Sequence, residues 1–245
     1  MRPLGAVWRL MRALGLVLHG LYVVLLVFPR LGEAQRQDRV GDWAQRMLGV
    51  LGIRLELRGQ PPAEGPVLLV SNHISWLDIL TLHAARHCRF VAKADVGHWP
   101  LIGRLARGAG TLFIERESRR DAMRVVHHMA EHLRAGEVLA IFPEGTTSNG
   151  IALLPFHANL LQAPISAGAP AQPVALAILD AASRQPTLRA CYIDDDTLVQ
   201  SLWRTVSGPP IVAVVSFGEP EHAEGRDRRT WAQDLRHRVD ALRRA

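Results

Sequence analysis

Pro66-Val67-Leu68-Leu69-Val70 carries no polar side chain and runs directly into Ser71-Asn72-His73-Ile74-Ser75-Trp76-Leu77-Asp78. A strand that is apolar at every position has to be covered on both faces, as in a largely parallel sheet with helices on either side. Val138-Leu139-Ala140-Ile141-Phe142 repeats the pattern and ends in Pro143-Glu144-Gly145-Thr146-Thr147-Ser148. Further strands are expected at 53–57, 89–93, 111–114, 173–179 and 211–216, and helices at 76–85, 100–107, 157–167, 197–206 and from Asp227 onward. The clearest helix is 118–135, with Ala122, Val125, Val126, Met129 and Leu133 as its apolar stripe, Ser118 as cap and Gly136 as stop. Strands alternating with helices define an α/β fold, a mostly parallel central sheet flanked by helices. Ligands in such sheets sit at the carboxyl ends of strands, which gathers His73, Arg116 and Glu144 at one edge.

The N-terminus is of another kind. Ala13 to Pro29 has no formal charge, and Arg9 and Arg12 precede it while Arg30 follows. As a helix this run covers about 25 Å, slightly short of a hydrocarbon core, so spanning and shallow or re-entrant insertion are both open. Phe28-Pro29-Arg30, which closes the run, is not a small-residue cleavage site, which argues against a removable signal peptide. A second helix, Arg36 to Leu51, sets Val40, Trp43, Ala44, Met47, Leu48 and Leu51 on one side. Such a face suits a membrane interface or packing against the globular part. The expected division is a membrane-associated helical segment over 1–51 and one α/β domain over 52–245.

A formal net charge of +6 points to a polyanionic partner, a lipid surface or a phosphorylated substrate. The arginines are scattered and Lys93 is the single lysine among 29 basic side chains, a pattern unlike a nucleic-acid groove. Cys88 and Cys191 lie far apart without paired spacing, so neither a disulfide framework nor a zinc site is suggested, and no metal or cofactor is expected.

Three stretches can carry chemistry. His73 at a strand end with Asp78 at a helix start has the form of a general base and its orienting acid. The spacing alone decides nothing, because His222 and Asp227 repeat it in a polar stretch. Arg116, closing Gly110-Thr111-Leu112-Phe113-Ile114-Glu115-Arg116, is able to grip a phosphate or to pair with a neighbouring carboxylate. Glu144-Gly145-Thr146 offers close backbone approach and anion donors, or an ordinary turn.

Taken in order, the blocks N-H-x-S-x-x-D at 72–78, G-x-x-F-I-x-R at 110–116, F-P-E-G-T at 142–146 and the apolar Gln172-Pro173-Val174-Ala175-Leu176 resemble the 1-acyl-glycerol-3-phosphate acyltransferases, within the broader lysophospholipid acyltransferases. The resemblance implies transfer of an acyl chain from acyl-CoA or acyl carrier protein to the free hydroxyl of a lysolipid, foremost 1-acyl-glycerol-3-phosphate. His73 would be the base, Asp78 its partner, and Arg116, Glu144, Gly145 and Thr146 the acceptor-binding residues; Pro173 and Val174 would be structural or line the acyl path. It also implies a bacterial inner-membrane location with the site on the cytoplasmic side. Thr147 stands where the family commonly has arginine, which opens the acceptor to another lysolipid such as lyso-ornithine lipid. Two rivals remain: a serine hydrolase, against which the lack of a G-x-S-x-G elbow counts, and a non-catalytic lipid-binding protein at the membrane surface.

Overall fold

The structure, a computed structural model, describes residues 3–114 and 119–244. Helix α1 (Pro3–Tyr22) continues through a π-helical turn (Val23–Val27) and a 3-10 turn (Phe28–Arg30) to α2 (Glu33–Leu51). The sheet portion then runs β1 (Ile53–Arg58), β2 (Val67–Ser71), α3 (Leu77–Ala85), β3 (Arg89–Lys93), α4 (Ala94–Gly97), α5 (Ile102–Gly108), β4 (Leu112–Ile114), α6 (Arg119–Arg134) and β5 (Val138–Ile141). A 3-10 turn (Ala158–Leu161), α7 (Gln162–Ala167), β6 (Ala171–Asp180), α8 (Leu198–Ser207), β7 (Ile211–Phe217) and α9 (Arg228–Arg244) complete it.

The strands form one sheet in the order β1-β7-β6-β2-β5-β3-β4. Every neighbouring pair is parallel except β6 with β7. The α/β reading with a mostly parallel sheet therefore holds, with one antiparallel pair inside it. Alternation along β2 divides the core: Val67 and Leu69 join the cluster under α2 and α3, whereas Leu68 and Val70 join Met129, Leu133, Trp231 and Leu235 from α6 and α9. Both faces are covered, as a wholly apolar strand requires. β2 and β5 run in register from Val67 opposite Val138 to Val70 opposite Ile141. The residues after Ser71 and after Ile141 consequently leave the sheet side by side.

Some local outcomes differ from the sequence expectation. The segment 157–167 begins as a 3-10 turn and becomes α-helical only at Gln162. Pro164 explains this: it has no N–H to give, so it is tolerated only in the first turn of a helix that starts just before it. The single turn α4 has no periodicity to read, and it meets α5 where a Cβ on Gly103 would collide with the Gly97 carbonyl oxygen. The α6 stripe is confirmed at Val125, Met129 and Leu133, all buried. Ser118 and the side chain of Ala122 lie outside the described residues.

Of the two readings open for α2, packing is realised: Ala44, Met47, Leu48 and Leu51 lie in the main core, and Gln45 Nε2 donates to the Ala84 carbonyl at 3.1 Å. Helix α1 is laid against the domain by a narrow strip. Ala6 and Leu21 are buried, and the Trp43 indole donates to the Leu16 carbonyl at 2.9 Å. Leu4, Trp8, Met11, Leu14, Leu18, Tyr22, Leu25 and Leu26 are all more than half exposed. The stretch Leu4–Arg30 is, by length and composition, long and apolar enough to cross a membrane, and only 11% of its most apolar window is buried.

Candidate active site

Asn72 is the first residue past β2 and is fully buried. Its side-chain amide donates to the Leu176 carbonyl at 3.0 Å and accepts from the Leu176 N–H at 2.7 Å, extending the β2–β6 ladder by one rung. His73 is thereby delivered from a fixed point. Two residues later Ser75 Oγ accepts from the Leu77 N–H at 3.1 Å, which caps the entry to α3. Asp78 lies in the first turn of α3, where the unpaired N–H groups and the helix dipole favour a carboxylate.

Asp78 Oδ2 accepts from the N–H groups of Ile74 at 2.6 Å and Ser75 at 2.9 Å, and it lies 2.7 Å from His73 Nδ1. An oxygen already accepting two N–H bonds is an acceptor toward the imidazole as well, so Nδ1 carries the ring proton. Nε2 is left as the free lone-pair nitrogen. Asp78 is 2% exposed and the His73 side chain 20%. The pair is thus a shielded acid behind a partly open base.

The turn after β5 grips the same residue from the other side. Glu144 is buried, and each carboxylate oxygen accepts a backbone N–H: Oε1 from His73 at 2.8 Å and Oε2 from Leu154 at 2.9 Å. Burial raises the Glu144 carboxyl above the usual carboxylate range, and these two N–H groups oppose the shift. The His73 carbonyl accepts from the Ser148 N–H at 2.8 Å and from Ser148 Oγ at 3.2 Å. Gly145 takes φ +73°, a conformation that favours glycine, and Thr146 beside it is exposed. The Thr147 hydroxyl donates to the Tyr192 carbonyl, while the Tyr192 N–H donates to the Ile74 carbonyl at 3.3 Å.

His73, Asp78, Glu144, Gly145 and Thr146 are therefore brought to one edge. Glu144 faces inward, with one backbone N–H on each carboxylate oxygen. Arg116 lies outside the described residues; β4, which precedes it, is separated from β2 by β3 and β5. Val174 is buried in the core and the Pro173 carbonyl accepts from the Gly218 N–H at 2.9 Å, the structural one of the two expected roles. The second histidine–aspartate pair is explained differently, since Asp227 caps α9 by accepting from the N–H groups of Arg229 at 2.6 Å and Thr230 at 3.1 Å. Phe142 was not singled out from the sequence, yet its ring stacks on the His73 imidazole at 4.0 Å and 8°.

Neither cysteine is a thiolate at neutral pH. Burial pushes the Cys88 thiol far up and the Cys191 thiol up to about 11. Among the described residues, no group of three or more histidine, cysteine or acidic side chains could hold a metal ion.

The acyltransferase family model matches residues 53–177, half of the chain and both turns of the site. The chain belongs to the acyltransferase family. A lyso-ornithine lipid O-acyltransferase of Pseudomonas aeruginosa is 37% identical to it, covering 98% of this chain and 93% of that protein. A 1-acyl-sn-glycerol-3-phosphate acyltransferase of Neisseria meningitidis is also 37% identical, over 84% of this chain and 81% of its own. The crystal structure of the 1-acyl-sn-glycerophosphate acyltransferase of Thermotoga maritima has the same fold, with a TM-score of 0.66 over 97% of this chain and 98% of that one at 20% identity. An acyltransferase of this family acts on an acceptor hydroxyl, which sets aside the non-catalytic lipid-binding reading.

Proposed function

We propose that this acyltransferase moves an acyl chain from acyl-CoA or acyl carrier protein to the free hydroxyl of a lysolipid, with His73 as general base. The observation that carries the reading is the 2.7 Å contact between His73 Nδ1 and the shielded Asp78 carboxylate, which leaves Nε2 free at a partly open edge. The acceptor hydroxyl gives its proton to Nε2 as its oxygen attacks the thioester carbonyl. Asp78 holds the ring and stabilises the imidazolium that forms. Collapse of the tetrahedral adduct breaks the carbon–sulfur bond, and the departing thiolate takes the proton back from Nε2. The acceptor oxygen is itself the nucleophile, so no acyl-enzyme is needed.

Arg116 and the Glu144-Gly145-Thr146 turn bind the acceptor head group in this reading, and Glu144 also shapes that turn from behind. Residues 1–51 serve as the membrane-associated segment and 52–245 as the acyltransferase domain, at the cytoplasmic side of a bacterial inner membrane. The exposed apolar face of α1 supports the membrane contact.

The first acceptor is 1-acyl-glycerol-3-phosphate. Lyso-ornithine lipid is the second, favoured by Thr147, whose hydroxyl is engaged with the Tyr192 carbonyl and brings no positive charge to the turn. Purified protein in mixed micelles, given labelled acyl-CoA or acyl carrier protein, should acylate one of these two lysolipids. Transfer to water alone, releasing free fatty acid with neither acceptor consumed, would overturn the proposal.

A further inference from the structure

We infer that Phe142 is a positioning residue for the general base, and that the Phe142–Ser148 turn works chiefly as a clamp on His73; the inference rests on the reading of His73 as base. One hydrogen bond, from Nδ1 to Asp78 Oδ2 at 2.7 Å, fixes a single point of the imidazole. The ring remains free to tip about that contact, and tipping swings Nε2, the nitrogen that must meet the acceptor hydroxyl. A flat surface removes that freedom. The Phe142 ring lies 4.0 Å from the imidazole centroid and within 8° of parallel, so the two contacts together define where Nε2 points.

Phe142 is itself backed. Phe90, from β3, stacks on it at 5.7 Å and 16°, and His83, from α3, meets Phe90 edge-on at 5.0 Å and 84°. Phe90 is 3% exposed and His83 5%, so the far end of the ladder is anchored in the core. The same turn holds the His73 backbone at both ends of the residue, through Glu144 on its N–H and Ser148 on its carbonyl. Ring plane, N–H and carbonyl are thus all set by residues from one seven-residue stretch. Phe142 occupies one face of the imidazole, so acceptor and donor reach Nε2 from elsewhere.

The consequence is a division between Phe142 variants by ring rather than by bulk. Phe142→Leu keeps an apolar side chain of similar reach but offers no plane, and it should lower kcat by roughly ten- to hundred-fold, the scale on which small misplacements of a catalytic group act. KM for donor and acceptor should stay within about two-fold, since no binding contact is removed. Phe142→Tyr should restore most of kcat. Thermal unfolding of each variant, measured alongside, separates loss of positioning from loss of fold. Full kcat in a folded Phe142→Leu protein, or a Phe142→Tyr protein as slow as Phe142→Leu, would overturn the inference. A His73→Ala variant in the same series distinguishes the two levels: if it is as active as wild type, the reading of His73 as base fails. If it is inactive while Phe142→Leu is fully active, only the clamp fails.

Discussion

The segment 72–78 and helix α1 relate to the rest of the chain in opposite ways. In the first, buried polar groups are matched by partners from three elements: Asn72 by β6, Asp78 by the backbone of Ile74 and Ser75, and the His73 backbone by the turn after β5. In the second, one strip of side chains meets the domain and, among the described residues, the remaining apolar surface is exposed. The geometry of the site is therefore determined inside the chain. Apolar surface of the extent that α1 exposes is ordinarily covered, and the proposed cover is a membrane.

The contrast can be broken at its strongest point by Asp78→Asn. The amide fits the same space and keeps its oxygen on the Ile74 and Ser75 N–H groups, yet it carries no charge to stabilise the imidazolium. By analogy with the serine-protease triad, kcat should fall by roughly 10³- to 10⁴-fold with little change in melting temperature. A loss below ten-fold would reduce Asp78 to a helix cap. Glu144→Ala tests the clamp as structure: it strands the N–H groups of His73 and Leu154, at about 1–3 kcal/mol each. Denaturant unfolding should show that loss, and Glu144→Gln, which keeps one carbonyl acceptor, should show about half of it. Equal stability of the alanine variant and wild type would contradict the clasp.

On the other side of the comparison, Leu14→Asp and Leu18→Asp place charges on the open face of α1. Vesicle co-sedimentation should weaken by about 2–3 kcal/mol per substitution, while acyl transfer in detergent stays unchanged. Unaltered sedimentation would remove α1 from the membrane contact. The smallest effect concerns His83 and His87, stacked at 5.1 Å under the site. Burial, aided by His87, lowers His83 to about 3, and burial, aided by Arg89 and Arg86, lowers His87 to about 4. The folded chain then binds fewer protons than the unfolded one between those values and about 6.5, so stability is full above pH 7 and falls as the solution is acidified. At pH 5 the His83 contribution amounts to about 2 kcal/mol. His83→Phe should flatten the profile of melting temperature between pH 7 and pH 5, and an unchanged slope would contradict the assignment.

Much of the fold was legible because its signals are local. Apolar strands such as Val67–Val70 and Val138–Ile141, and the stripe Val125, Met129, Leu133, announce their own burial. The pairing of β6 with β7 was not legible, since direction depends on how the long connection between them returns. In the site, His73 and Asp78 stood out by context and Glu144 by its motif. The inward turn of Glu144 and the stacking of Phe142 did not, because each depends on β2 and β5 ending in register. An apolar residue closing a strand gives no sign in sequence that its ring lies against an imidazole. Conversely, His222 and Asp227 share the spacing of the first pair, and only the helix cap at Arg229 and Thr230 shows why it means nothing there.

The most direct measurement is the turnover of His73→Ala with labelled acyl thioester and saturating lysolipid, alongside its melting temperature. We expect a folded protein whose acyl transfer is at least about 10³-fold slower than wild type, as loss of the general base and its imidazolium requires. Transfer within ten-fold of wild type would show that another group takes the acceptor proton, and that the shielded pair at the end of β2 is architecture rather than chemistry.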